Sequence, residues 1–268
     1  MNERSFITAG DGYRIAYRFD GQATKPVLVL SNSIATTLEM WDTQITTLTK
    51  HFRVLRYDTR GHGTSTAPSG AYSIDRLGRD VIELLDALRI ERVHFLGLSL
   101  GGMIGQWLGI HAADRIDRLI LSNTSSYLGP APQWDALITS LLEQPDMDAM
   151  GRMFLGNWFP PRMFESDLDL IERFRTMIVN TSPVGLAGNF AAVRDMDFRV
   201  TSALIERPTL VIGGSNDTVT LPGHSELLAA TIPGAQLVIL EAVHLPNIER
   251  AVEYEKVVMG FLRQTVPG

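Results

Sequence analysis

The stretch Val93-His94-Phe95-Leu96-Gly97-Leu98-Ser99-Leu100-Gly101-Gly102 holds the residues best suited to chemistry. An apolar run of β character ends in G-x-S-x-G and a small-residue helical pattern follows, the sequence form of a nucleophile elbow. Gly97 and Gly101 have no Cβ, so the backbone can turn sharply from strand to helix there. Such a turn lifts the Ser99 hydroxyl clear of a sheet and sets it at a helix N-terminus, where N–H groups are unpaired. A serine hydroxyl alone is a weak nucleophile. It needs a histidine base and an acid to orient that base.

Both must come from elements that the chain positions elsewhere. Ser5–Ala9 and Arg14–Phe19 flank the tight-turn signal Gly10-Asp11-Gly12 and read as an antiparallel hairpin. Val27–Leu30, after Pro26, is a continuous apolar run, the pattern of a strand buried on both faces. Phe52–Tyr57, Val93–Leu98, Leu119–Ser122, Thr209–Ile212 and Leu237–Leu240 read as further strands of this kind. Helical patterns separate them. In Ser73–Leu88 the residues Ile74, Leu77, Val81, Leu84, Leu85 and Leu88 share one face, with Ser73 as N-cap and Asp75 in the first turn. Pro222–Thr231 and Arg250–Gln264 are the last helices. Strands alternating with helices predict a mostly parallel, doubly wound sheet of about eight strands. Residues 125–205 break this rhythm and contain six of the ten methionines (Met147, Met150, Met153, Met163, Met177 and Met196). They read as a helical cap inserted into a core formed by residues 1–124 and 206–268.

Functional groups of parallel sheets collect at the carboxyl ends of strands. His244 follows the strand Leu237–Leu240 in the loop Ala242-Val243-His244-Leu245-Pro246, and Asp217 follows Thr209–Ile212. Among the other histidines, His62 in Arg60-Gly61-His62-Gly63 is the rival, because it also lies on a loop at that edge. Asn123, after the strand ending near Ser122, cannot stabilise an imidazolium as a carboxylate does. Ser99, Asp217 and His244 are therefore the candidate catalytic residues. An oxyanion hole needs two N–H groups aimed at the developing charge. Leu100 supplies one. The loop after Val27–Leu30 supplies the other, with Ser33 as first choice and Ile34 as second. Trp134, Trp158 and Met153 are candidates for a substrate pocket.

Composition excludes several classes. With 24 Lys+Arg against 30 Asp+Glu the net charge is −6, unlike the basic face that nucleic-acid binding requires. No cysteine is present, so disulfides, thiolate metal sites and a cysteine nucleophile are excluded. Histidine spacing offers no metal pair, and no dinucleotide or phosphate-binding fingerprint is present. No metal or cofactor is therefore expected. Met1–Phe6 lacks the pattern of a leader, and no apolar run nears the ~18 residues of a membrane span. The expectation is a cytoplasmic protein with no membrane partner. Its oligomeric state is not encoded in any pattern found.

These residues together resemble the α/β-hydrolase superfamily. The elbow at Ser99, the turn Asp58-Thr59-Arg60-Gly61-His62-Gly63-Thr64-Ser65 and the chain order Ser99, Asp217, His244 carry the likeness. The segment Asp58–Gly63 is expected to be a structural turn beside the site. A narrower resemblance is to 3-oxoadipate enol-lactonases. It rests on Ser31-Asn32-Ser33-Ile34, where Ser-Asn replaces a common His-Gly, and on Leu128-Gly129-Pro130, Trp134-Asp135, Trp158-Phe159, Arg194-Asp195-Met196-Asp197 and His244-Leu245-Pro246-Asn247-Ile248-Glu249. It implies cofactor-free hydrolysis of a small anionic enol-lactone, 3-oxoadipate enol-lactone, in the β-ketoadipate pathway of aromatic breakdown. Arg152, Arg162, Arg173, Arg175 and Arg194 are available in the cap for the substrate carboxylate. Two positions depart from the family pattern. Ile34-Ala35 stands where Leu-Gly is expected, and Val243 replaces a small residue and would narrow access. A carboxylesterase or a carbon–carbon bond hydrolase uses the same triad, and a ligand sensor with slow turnover keeps the same fold.

Overall fold

The computed structural model describes residues 4–264. Met1, Asn2 and Glu3, part of the segment read above for a leader, lie outside the described residues. The strands are β1 (Ser5–Thr8), β2 (Arg14–Asp20), β3 (Val27–Ser31), β4 (Arg53–Tyr57), β5 (Val93–Leu98), β6 (Ile116–Ser122), β7 (Thr209–Gly214) and β8 (Gln236–Leu240). The helices are α1 (Asp42–Leu48), α2 (Ile74–Ala87), α3 (Leu100–His111), α4 (Ala131–Glu143), α5 (Met147–Trp158), α6 (Met163–Ser166), α7 (Leu168–Val179), α8 (Pro183–Asp195), α9 (Pro222–Thr231), α10 (Pro246–Glu249) and α11 (Ala251–Leu262).

One sheet runs in the order β1-β2-β4-β3-β5-β6-β7-β8. β1 and β2 pair antiparallel, as does β2 with β4, and the remaining pairs are parallel. This is the predicted α/β-hydrolase sheet with a hairpin at one edge. β4 lies on one side of β3 and β5 on the other, so the direction of winding reverses between β3 and β5. Ligand crevices form at such a switch point, at the carboxyl ends of the strands. β5 sits there and delivers Ser99.

The central strands β3, β5, β6 and β7 are buried almost throughout, which explains their unbroken apolar runs. β8 departs from that expectation. It closes the sheet with β7 as its strand neighbour, and Leu237 and Ile239 are exposed. An apolar run alone does not separate an edge strand from a central one. α2 begins as predicted, with Ser73 Oγ accepting the Arg76 N–H. Its apolar face is buried, and α3 is the element it packs against.

Between β6 and β7 the chain runs through α4 to α8. It leaves and returns side by side, with an antiparallel bridge between Tyr127 and Asp197 and the Phe198 N–H donating to the Ser126 carbonyl. These helices hold together through aromatic rings. Trp134 meets Phe190, Phe154 meets Trp158, and Phe159 and Trp158 meet Phe174, with centroids 4.9–6.4 Å apart, inside the range where offset and edge-on pairs are favourable. No helix among the described residues is long and apolar enough to cross a membrane.

Candidate active site

Ser99 sits between β5 and α3 with φ 57° and ψ −114°. A non-glycine residue at positive φ is strained, and strain of this kind concentrates at functional sites. The two elbow glycines serve a different need from the one predicted. Neither has positive φ; the requirement is close approach. A Cβ on Gly97 would stand 2.0 Å from the Gly101 carbonyl oxygen, and one on Gly101 would stand 2.2 Å from that of Ser31. Backbone crowding thus forbids side chains at both positions, and the serine alone bears the torsional cost.

Asp217 and His244, from the loops after β7 and β8, meet. His244 Nδ1 lies 2.9 Å from Asp217 Oδ2, and both side chains are buried. The carboxylate has further donors. Oδ1 accepts the N–H groups of Val219 (2.8 Å) and Thr220 (3.0 Å), and Oδ2 accepts Thr220 Oγ1 (2.8 Å) and Asn123 Nδ2 (2.9 Å). Burial by itself pushes the Asp217 pKa up. The charge of His244 and hydrogen bonds from His244, Asn123 and Thr220 outweigh that and bring it down to about 2. The carboxylate therefore stays ionised, and with Nδ1–H donating to it, Nε2 of the neutral His244 ring is left as an acceptor.

Asn123, set aside above as an acid, has a different place. It stands at the end of β6 with φ 43° and joins Asp217 to the Val243 carbonyl, 3.3 Å away. Its position directly after a core strand is the sequence signal for this role, in which the amide supports the carboxylate instead of replacing it.

Ser99 and His244 line a cavity of about 140 Å³. Leu100 and Ile34 line it too, as do Trp134, Met153 and Trp158, the three residues chosen for the pocket. Met103, Phe154, Phe190 and Val219 complete much of the wall, and Asn157 adds a neutral amide. Ser33 is absent from the lining, and its N–H donates to Met40 Sδ at 3.2 Å. Of the two choices for a second oxyanion donor, the structure thus disfavours Ser33. The N–H groups of Ile34 and Leu100 have no protein acceptor among the described residues. Residues that carry two unpaired N–H donors and a hydroxyl thus line one small space, the set of groups needed to hold a carbonyl oxygen while its carbon is attacked.

The Ser31-Asn32 pair has a local explanation. Asn32 Oδ1 accepts Trp41 Nε1, Asn32 Nδ2 donates to the Tyr57 carbonyl, and Ser31 Oγ bonds the Tyr57 hydroxyl at 2.7 Å. A glycine at position 32 would forfeit the first two of these bonds. Val243 does not line the cavity, so the expected narrowing does not arise. Its N–H is held by Glu249 Oε2 instead. The five arginines considered for a substrate carboxylate all face other acids. Arg152 pairs with Asp146, Arg162 with Glu249, Arg173 with Asp42, Arg175 with Asp148 and Glu172, and Arg194 with Asp135 and Asp195. None of them lines the cavity. The rival histidine, His62, is buried, with both ring nitrogens bonded to backbone. No group of three or more His, Asp or Glu side chains suited to a metal ion occurs among the described residues.

Comparison with known proteins gives the same fold. Residues 26–251 match the model of the alpha/beta hydrolase fold. The chain belongs to the α/β-hydrolase family. It resembles 3-oxoadipate enol-lactonases, as its motifs implied. It is 36% identical to 3-oxoadipate enol-lactonase 2 of Acinetobacter baylyi, over 96% of each chain. Two crystal structures of α/β-hydrolase relatives are similar throughout. A hydrolase from Pseudomonas aeruginosa PA01 is 58% identical, with TM-score 0.96 over 98% of this chain and 99% of the other. The enol-lactonase from Burkholderia xenovorans LB400 is 40% identical, with TM-score 0.94 over 97% and 100%.

Proposed function

We propose that this α/β-hydrolase opens a small enol-lactone, 3-oxoadipate enol-lactone, through a serine acyl-enzyme. The observation that carries the reading is one cavity lined by Ser99, by the Asp217-bound His244, and by Leu100 and Ile34, whose N–H groups have no protein acceptor among the described residues. Ser99 Oγ attacks the lactone carbonyl carbon while His244 Nε2 takes its proton. Asp217 fixes the ring and stabilises its cation. The carbonyl oxygen gains the negative charge and is held by the Leu100 and Ile34 N–H groups. The intermediate collapses by breaking the bond to the ring oxygen, which leaves as an enol and receives the proton from His244. That enol remains tethered to the acyl chain. Water then attacks the ester carbon and gives a proton to His244 Nε2, the bond to Ser99 Oγ breaks as Oγ takes that proton back, the acid is released, and the enol tautomerises to the keto acid. The steps use this chain's own groups. Residues 125–205 act as a cap that excludes bulk water and selects by size. The proposed setting is the cytoplasmic breakdown of aromatic compounds, and sequence similarity to enol-lactonases supports it.

The apolar lining favours a second reading. With every candidate arginine paired elsewhere, the cavity also suits a small uncharged ester, so a carboxylesterase uses the same groups. Both readings are tested by the loss of enol-lactone absorbance against a panel of aryl esters, with purified protein. Efficient lactone turnover with slow ester turnover supports the lactonase. The reverse order gives the esterase, and turnover well below ~1 s⁻¹ on all of them abandons both.

A further inference from the structure

The turn after β4 contributes no residue to the cavity lining, yet its histidine touches the loop that carries the Ile34 N–H. We propose that His62 and Met40 are positioning residues that clamp this loop and so aim the Ile34 N–H at the developing oxyanion. The inference rests on the serine-hydrolase reading above and extends it.

One peptide sets the direction of the Ile34 N–H. A trans peptide is planar, so its C=O and N–H point in opposite directions. The Ser33 carbonyl accepts both the Thr36 N–H (3.3 Å) and Thr36 Oγ1 (2.7 Å). Fixing that carbonyl on Thr36 turns the Ile34 N–H the other way. The residues on either side are held as well. The Ser33 N–H donates to Met40 Sδ at 3.2 Å, and the Ala35 N–H donates to His62 Nε2 at 2.8 Å. Three successive N–H groups therefore divide into two that are consumed and, between them, one that is free.

The loop does not hold this shape for nothing. Ala35 has φ 59°, a left-handed conformation that costs an ordinary residue roughly 1–2 kcal/mol. Such a state persists only where its surroundings over-determine it. His62 is suited to the task because its ring is neutral and its tautomer is set: Nδ1 lies 3.3 Å from the Arg60 carbonyl and carries the hydrogen, leaving Nε2 to accept. Burial also disfavours the charged ring, bringing its pKa down to about 4.

The test compares wild type with His62→Leu, His62→Gln and Met40→Leu. Each is assayed on an aryl acetate and with a trifluoromethyl ketone. Ser99 Oγ adds reversibly to the ketone carbon, its proton passes to His244, and the ketone oxygen becomes an anion in the hole. The product carboxylic acid serves as a ground-state ligand. We expect His62→Leu to lose about 10²-fold in kcat and in ketone affinity, the scale of one oxyanion donor, with KM and product affinity within about twofold. His62→Gln restores an acceptor near Nε2 and recovers most of the loss. Met40→Leu, close in volume, loses about threefold to tenfold in the same two quantities, since sulfur is a weak acceptor. A folded His62→Leu protein with wild-type kcat and ketone affinity overturns the clamp. If that variant does not fold, Met40→Leu decides: a selective loss of ketone affinity supports the clamp, and unchanged affinity overturns it. A wild type that neither hydrolyses aryl acetates nor binds the ketone at Ser99 overturns the reading of Ser99, and the clamp falls with it.

Discussion

The strand-end loops and the inserted helices face each other across one cavity, but they are built by different forces. On the loops the groups beside the site are fixed by directional hydrogen bonds. Asp217 takes five donors, the Asn32 amide is held at both ends, and the loop after β3 is held by Thr36, Met40 and His62. On the helices the cavity lining is aromatic and aliphatic apart from the Asn157 amide, and the arginines pair with acids away from the cavity. Hydrogen bonds are directional and apolar contacts are not. The loops can therefore fix atoms to within tenths of an ångström, while the helices fix volume. Under the proposed function, chemistry belongs to the first region and selection to the second.

The sharpest way to break that division is at Ser99. Ser99→Ala is expected to lower kcat by roughly 10⁴–10⁶, as loss of a triad member does elsewhere, with substrate affinity preserved because only the hydroxyl is removed and the rest of the cavity lining is unchanged. Progress curves at saturating substrate measure it, and near-normal turnover would move the nucleophile elsewhere. The next test is Asn123→Ala. It removes one donor from an ionised carboxylate, a loss of about 1.5–3 kcal/mol for a charge-assisted bond. We expect kcat to fall about 10–100-fold with KM little changed. A rise in KM alone would place Asn123 with the substrate-binding residues rather than with the triad.

The two regions were unequally legible in the sequence. The core strands and the elbow could be read because a parallel strand buried on both faces has a distinctive apolar run, and because strand-end loops carry short motifs at fixed places. Ser99, Asp217 and His244 emerged that way. What the motifs missed was partner choice. Nothing in Ser33-Ile34 reveals that a methionine sulfur seven residues on occupies the first N–H, and nothing in Asn123 reveals its bond to Asp217, 94 residues away. The inserted helices were legible only as an interruption. The pocket residues Trp134, Trp158 and Met153 came from residue type and family likeness, since helical spacing does not say which face meets a cavity. The arginines could not be placed because most of the paired acids lie on another element, as Asp42 does for Arg173, Glu249 for Arg162 and Asp135 for Arg194.

A pH experiment separates contributions within the loop region. His62 has a folded pKa of about 4 against an ordinary 6.5. Between these values the unfolded chain binds the proton and the folded one does not, so stability is complete above 6.5 and declines as pH falls toward 4. The total is on the order of 3 kcal/mol. Asp217, lowered from 3.8 to about 2, contributes stability that is present above 3.8 and lost as pH falls through 2. Denaturant midpoints from pH 7 to pH 3 should show the first decline in wild type and a flatter profile in His62→Gln. Equal slopes would mean that His62 is not held neutral by the fold.

On the helical side, Met153→Ala is the milder change. It enlarges an apolar wall without touching a hydrogen bond. One methylene in such a pocket is worth about 1–3 kcal/mol in discrimination, so the ratio of kcat/KM for aryl butyrate over aryl acetate should rise about tenfold. A uniform fall for both esters would mean that the helices also align the reacting atoms, which would erase the division drawn above.

The smallest effect is expected at Ala35, where the chain departs from the Leu-Gly pattern. Ala35 is fully buried and has φ 59°, so Ala35→Gly sets three terms of similar size against one another. Relief of left-handed strain favours glycine by about 1–2 kcal/mol. Extra freedom in the unfolded chain disfavours it by about 0.5–1 kcal/mol. Loss of one buried carbon disfavours it by about 0.8 kcal/mol. The sum is near zero, which is how alanine can occupy the position at all, and the melting temperature should move by no more than about 2–4 °C. A clear gain in stability would show that the methyl group is poorly packed. A clear loss would show that its contacts, beside the His62 bond, help to keep the Ile34 N–H in place.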